Sequence, residues 1–218
     1  MNESIRLKHP FTAIVAGPTG CGKTVLVRRI LKNYTQLTTI KEPLRVIWGY
    51  GQWQNCYNEP IEGIKVIYNE GLPTEEDIKE FCPQLVIIDD LMTEVGGNKK
   101  LSSLFTKGSH HLGISVVFIV QNMFHKGSEM RTISLNSHYL ILMKNPRDRS
   151  QITHLGRQLY PTQGKFFQEA FNDATSKPYG YLCVDLTPST PDKFRVRTRI
   201  TPEESIKGTI APIIYIPK

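Results

Sequence analysis

Residues 17–24 read GPTGCGKT, and this stretch restricts the chain to a narrow set of folds. From Gly17 to Gly22, Lys23 and Thr24 the spacing is G-x-x-x-x-G-K-[ST]. In such a loop the glycines let successive backbone N–H groups curl around a phosphate, the lysine reaches the terminal phosphates, and the hydroxyl ligates magnesium. The loop works only between a buried strand that delivers it and a helix whose N-terminus faces the anion. Both flanks fit. FTAIVA, residues 11–16, is a short apolar run that reads as a buried strand. Val25, Leu26, Val27, Ile30 and Leu31 then recur at helical spacing, with Arg28, Arg29 and Lys32 on the opposite face. Phosphate binding therefore falls to Gly17, Pro18, Thr19, Gly20, Cys21, Gly22, Lys23 and Thr24.

Downstream, strand-like runs alternate with helical patterns. LRVIWGYG (44–51), IKVIY (64–68), QLVIIDD (84–90), ISVVFIVQN (114–122) and HYLILMKN (138–145) are rich in β-branched or large apolar residues. Between them TEEDIKEF opens at Thr74 with an acidic first turn, and NKKLSSLFTKG closes at Gly108. Continuous apolar strands separated by helices predict a mainly parallel sheet covered on both faces. RDRSQITHLGRQLY and KFFQEAFNDATS add two helices and GYLCVDL a late strand. At 218 residues the chain suits one α/β domain, with a core over about 8–186 and a C-terminal extension over 187–218. In that extension KFRVRTRI, residues 193–200, alternates basic with apolar residues and predicts a half-buried strand with a basic outer face.

QLVIIDD carries a second piece of chemistry. Its apolar run ends in a carboxylate, so Asp89 lies at the mouth of the sheet, where Mg²⁺ would sit. P-loop proteins that hydrolyse ATP for mechanical work often carry a second acidic residue next to it, here Asp90, to orient or deprotonate the attacking water. The plain alternative is a strand end whose aspartates cap the next helix. Gln121, at the carboxyl end of another buried strand, lies beside the same crevice if that strand runs between those of the phosphate loop and the aspartates. An amide there can contact the γ-phosphate or the water.

GPTGCGKT, LVIIDD, ISVVFIVQN and SLNSHYLILMKNPRDRSQI together resemble the viral genome-packaging ATPases of the FtsK/HerA superfamily. The likeness is to the poxvirus type, and in particular to the versions carried by Polinton/Maverick elements and adintovirus-like viruses; it extends over roughly residues 8–200. The resemblance implies a RecA-like ASCE P-loop NTPase. It implies a pentameric or hexameric ring of identical subunits that uses ATP and Mg²⁺ to drive double-stranded DNA into a preformed capsid, with the capsid protein as docking partner. By the same resemblance Lys23 holds the β- and γ-phosphates, Thr24 and Asp89 the magnesium, Asp90 activates water and Gln121 senses the γ-phosphate. Relatives place an arginine finger on the edge of the neighbouring subunit, for which Arg149 is the best match, followed by Arg147 and Arg131. One departure is the Asp-Asp pair, where many relatives have Asp-Glu; the shorter side chain must approach the water more closely. The implied setting is the host nucleus, a cytoplasmic virus factory or the virion.

Charge and cysteine usage agree with that setting without selecting it. Lys and Arg total 27 against 20 acidic residues, for a net charge of +7. Such an excess favours polyanionic partners through counterion release. Lys144, Arg147, Arg149 and Arg157 cluster after one strand, as either a DNA-facing or a solubilising surface. Cys21, Cys56, Cys82 and Cys183 are scattered, which indicates neither a disulfide framework nor a zinc site, and His110-His111 reads as a solvated helix end. No apolar run approaches the length of a membrane span, and MNESIRLKHP has no signal-peptide core. Trp48 and Trp53 are expected to pack locally. Two other classes stay open: a helicase or DNA-transfer ATPase, which normally needs accessory domains, and a nonhydrolytic P-loop scaffold, which would be expected to have lost Lys23 or Asp90.

Overall fold

The computed structural model describes residues 5–41, 43–91, 102–123, 128–147, 149–205 and 207–217. Among the described residues nine strands form one sheet: β1 (Thr12–Ala16), β2 (Arg45–Tyr50), β3 (Lys65–Glu70), β4 (Leu85–Asp89), β5 (Ser115–Val120), β6 (Tyr139–Met143), β7 (Tyr181–Asp185), β8 (Val196–Thr198) and β9 (Ile213–Tyr215). Their order is β3-β2-β4-β5-β1-β6-β7-β8-β9. The pairings from β3 through β6 are parallel, and those from β6 through β9 are antiparallel. The described helices are α1 (Lys23–Lys32), α2 (Tyr34–Leu37), α3 (Glu75–Phe81), α4 (Ser109–Leu112), α5 (Ser128–Leu135), α6 (Ser150–Leu159) and α7 (Gly164–Ala174). None is long and apolar enough to cross a membrane.

The apolar runs are continuous because the central strands are covered on both faces, and successive side chains alternate between two cores. On one face Ile14, Ile88, Phe118 and Leu140 pack with Ile133 of α5 and Phe167 and Phe171 of α7. On the other, Val15, Trp48, Ile87 and Ile141 pack with Leu26, Val27 and Leu31 of α1. Phe167 is fully buried, so its truncation to alanine would cost about 3–5 kcal/mol. Thr74 caps α3 as the sequence predicts: its Oγ1 accepts from the Asp77 N–H at 3.1 Å, and Asp77 Oδ2 accepts from the Thr74 N–H at 2.7 Å.

Four local expectations are corrected. Arg28 is buried rather than solvated, donating through Nη2 to the Glu59 carbonyl at 2.6 Å and through Nη1 to the Tyr68 hydroxyl at 3.3 Å, whereas Val25 is 50% exposed. The flank of α1 that faces the β2–β3 segment finds acceptors there, so a guanidinium can be buried. The helical stretch ahead of β5 does not close at Gly108 but runs through it, in a wide turn over Leu104–Gly108, to Leu112. The chain reversal follows at Gly113, whose φ of +63° suits glycine. The helix expected to open with RDRSQI at Arg147 starts instead at Ser150, with Pro146 and Arg147 in a turn ahead of it.

The largest correction concerns the basic strand. Arg197 is fully buried, its two Nη atoms each 3.2 Å from Asp185 Oδ2 and also held by the carbonyls of Phe194 and Ile5, because the N-terminal segment around Ile5 and Leu7 lies over the face expected to meet water. Asp148 lies outside the described residues, as do the side chains of His110 and His111.

Candidate functional site

The carboxyl ends of β4, β5 and β1 are adjacent in the sheet. Crevices outside the carboxyl ends of parallel strands are where α/β proteins bind ligands. Gly17 leaves β1 in a space where a Cβ would lie 2.8 Å from both Cys21 Sγ and Met143 Cβ, so a larger residue is excluded. Gly22, with φ +93°, turns the loop into α1. That helix has no side-chain cap and no acidic residue in its first turn. Its first N–H groups and the positive end of its dipole are therefore left for an anion.

Lys23 Nζ donates to the carbonyls of Gly17 at 2.7 Å and Pro18 at 2.9 Å, which holds the ammonium over the loop. Thr24 Oγ1 donates to Asp89 Oδ2 at 3.0 Å. Two further donors fall on that oxygen: the Tyr57 hydroxyl at 2.8 Å and Gln54 Nε2 at 3.5 Å. Asp89 is only 2% exposed. Burial pushes its pKa up, while the hydrogen bonds from Tyr57 and Thr24 and the charge of Lys23 pull it back. Burial, with the Asp89 charge beside it, drives the Tyr57 hydroxyl far above the ordinary phenol range, which keeps it a donor.

Asp90 is exposed on a left-handed backbone with φ +56°. Aspartate tolerates that region better than most residues, and such outliers gather at functional sites. Gln121 Nε2 donates to Asp90 Oδ1 at 3.0 Å, so the two side chains meet across β4 and β5. The strand carrying Gln121 does run between those of the phosphate loop and the aspartates.

These residues line one cleft of about 590 Å³ that includes Thr19, Gly20, Gly22, Lys23, Thr24, Asp89, Asp90 and Gln121. Arg131, Arg147 and Arg149 do not line it; all three are exposed, with Arg149 at the position capping α6. The segment is tied to the cleft's rim by Gln151 Nε2, which donates to Asn122 Oδ1 at 2.9 Å.

Sequence reasoning missed Tyr57, Gln54, Arg29 and Tyr179, of which the last three line the cleft. Tyr57 belongs to a cluster with Trp48, Tyr50, Trp53 and Tyr68 in which it stacks on Tyr68 at 5.0 Å between ring centroids. The signal was the aromatic run WGYGQWQNCY, which becomes part of the site only once β2 is known to lie against β4.

No protein-family model and no curated protein matches the sequence. The fold is similar to solved structures of the genome packaging NTPase B204 from Sulfolobus turreted icosahedral virus 2. In complex with ATP-gammaS, B204 aligns over 91% of this chain and 98% of its own, with a TM-score of 0.56 at 12% identity. In complex with AMPPCP the figures are 86% and 96%, with a TM-score of 0.57 at 11% identity. The likeness establishes an α/β, RecA-like P-loop fold.

Proposed function

We propose that the chain is an ATP-hydrolysing motor that drives double-stranded DNA into the capsid of a virus or virus-like element, a packaging ATPase of the poxvirus type within the FtsK/HerA superfamily. One observation carries the reading: a phosphate loop, an acidic pair and a strand-end amide converge on one cleft from three neighbouring strands. Binding alone needs only the loop; Asp90 and its Gln121 partner are what hydrolysis adds. The fold shared with a viral genome packaging NTPase supports the motor class.

Thr24 and Asp89 supply hard oxygen ligands of the kind Mg²⁺ takes, and their 3.0 Å contact fits a shared ion. When bound, Mg²⁺ neutralises charge on the β- and γ-phosphates. In this reading Lys23 exchanges the carbonyls of Gly17 and Pro18 for phosphate oxygens. Asp90 accepts a proton from the attacking water, and Gln121, which holds Asp90, registers the γ-phosphate. Arg149 reaches the cleft of a neighbouring subunit in a pentameric or hexameric ring, with Arg147 and then Arg131 as substitutes; its exposure outside its own cleft agrees with a role in trans. Lys144, Arg147 and Arg157, all exposed, favour a polyanionic partner. The capsid protein docks the ring, in the host nucleus, a cytoplasmic factory or the virion.

An ATPase assay with linear duplex, single-stranded or no DNA tests the proposal, with Lys23→Ala as the inactive control. Stimulation by duplex is expected. A preference for single strands would instead favour a helicase or transfer ATPase, and no turnover would favour a nonhydrolytic scaffold.

A further inference from the structure

Tyr179 has no role in the chemistry above, yet the fold holds it in an unusual way. It is 69% exposed and sits on a left-handed backbone with φ +61°, a region that L-residues other than glycine enter at a cost. The loop around it is tied by its own backbone. The Ser176 N–H donates to the Asp173 carbonyl and the Gly180 N–H to the Lys177 carbonyl, each at 3.1 Å. Pro178 stiffens the approach, and a Cβ on Gly180 would collide with the Ala174 carbonyl. An exposed aromatic ring on a fixed, strained backbone needs a reason at that spot.

The spot is the wall of the cleft. Tyr179 lines it and packs against the phosphate loop: a Cβ on Gly22 would lie 3.1 Å from Tyr179 Cδ1. Across the sheet the order is β4-β5-β1-β6-β7. Asp89, Asp90 and Gln121 stand at the ends of β4 and β5, the phosphate loop follows β1, and Tyr179 precedes β7. Tyr179 and the acidic pair are thus on opposite sides of the loop. A triphosphate whose terminal phosphate faces Asp90 and Gln121 has its nucleoside at the other end, toward β7. Val25, 50% exposed on α1, lines the same cleft and adds apolar surface.

We infer that Tyr179 is the platform on which the purine base of the bound nucleotide stacks. The inference rests on the nucleotide reading of the cleft and adds to it the subsite for the base. Stacking on one aromatic ring is tolerant of base identity, because every base has a π-face. Tyr179 accordingly contributes affinity for ATP and GTP alike, and the ring rather than the hydroxyl carries it.

Calorimetric titration in Mg²⁺ with a non-hydrolysable ATP analogue and, separately, with inorganic tripolyphosphate distinguishes the base subsite from the phosphate site. Tyr179→Ala is expected to weaken the nucleotide about tenfold, the order of one base–aromatic stack, and to leave tripolyphosphate within about twofold of wild type. Tyr179→Phe should match wild type for both ligands. Being exposed, the position tolerates both changes, which equal melting temperatures would verify. Unchanged nucleotide affinity in Tyr179→Ala, or equal losses for nucleotide and tripolyphosphate, would overturn the inference while leaving the phosphate site standing. If wild type bound neither ligand, the nucleotide reading would fall and the inference with it.

Discussion

Replacing Tyr57 with phenylalanine removes one oxygen from the site and almost nothing else. The ring remains stacked on Tyr68 and against Trp48. What disappears is the 2.8 Å hydrogen bond to Asp89 Oδ2, the shortest of the three donors on that oxygen; Thr24 stays at 3.0 Å and Gln54 at 3.5 Å. A hydrogen bond to a charged acceptor contributes about 1.5–3 kcal/mol. With every 1.4 kcal/mol worth a factor of ten, Mg²⁺ affinity should fall about 10- to 100-fold, the range in which loss of a partner behind a metal ligand is felt. The assay is a Mg²⁺ titration of nucleotide binding without turnover, followed with a fluorescent ATP analogue. The midpoint should move to higher Mg²⁺, and nucleotide affinity at saturating Mg²⁺ should return to near the wild-type value. A midpoint that stays within about twofold, or moves down, would refute the idea that Tyr57 orients Asp89 for the metal.

Asp90→Asn keeps the size of the side chain and an oxygen for Gln121, so Mg²⁺–ATP binding should persist while the hydrolysis rate drops about 10²- to 10⁴-fold; Asp89→Asn should instead move the Mg²⁺ midpoint, and identical behaviour of the two would show that the roles are wrongly divided. Arg149→Ala subunits and Lys23→Ala subunits should regain ATPase activity when mixed, each supplying what the other lacks, and verified mixed rings without recovery would count against a finger in trans. Arg197→Met leaves Asp185 buried without its cation and should cost about 3–5 kcal/mol in denaturant melts, most of it recovered when Asp185→Leu is added; a mild single-variant effect would contradict the buried pair. Burial pushes the Cys183 thiol up to about 11, so it remains the unreactive protonated form as pH rises from 7 to 9. The exposed Cys82 should alkylate first by mass spectrometry.

The phosphate loop, the central strands and the cap of α3 were legible from the chain because each depends on near neighbours: glycines where φ must be positive, apolar runs where both faces are covered, Thr74 three residues before Asp77. The order of Lys23-Thr24, Asp89-Asp90 and Gln121 along the chain also pointed to one crevice, on condition that β5 fell between β4 and β1. Other features depend on which distant segments meet. Periodicity assigned Arg197 to an outer face, but nothing near it announces that the N-terminal segment around Ile5 will cover that face and that Asp185, twelve residues away, will pair with it. Arg28 looked solvated until the β2–β3 segment presented a carbonyl and a hydroxyl to it. Sequence reasoning passed over Tyr57 and Tyr179: Tyr57 reaches Asp89 because β2 lies against β4, and Tyr179 reaches the cleft because the loop ahead of β7, beyond β6, returns to the phosphate loop. Local rules register a residue's own backbone and its neighbours within a turn or two; what covers a face, and what stands behind a ligand, is decided by segments far apart in the chain that only the tertiary fold brings together.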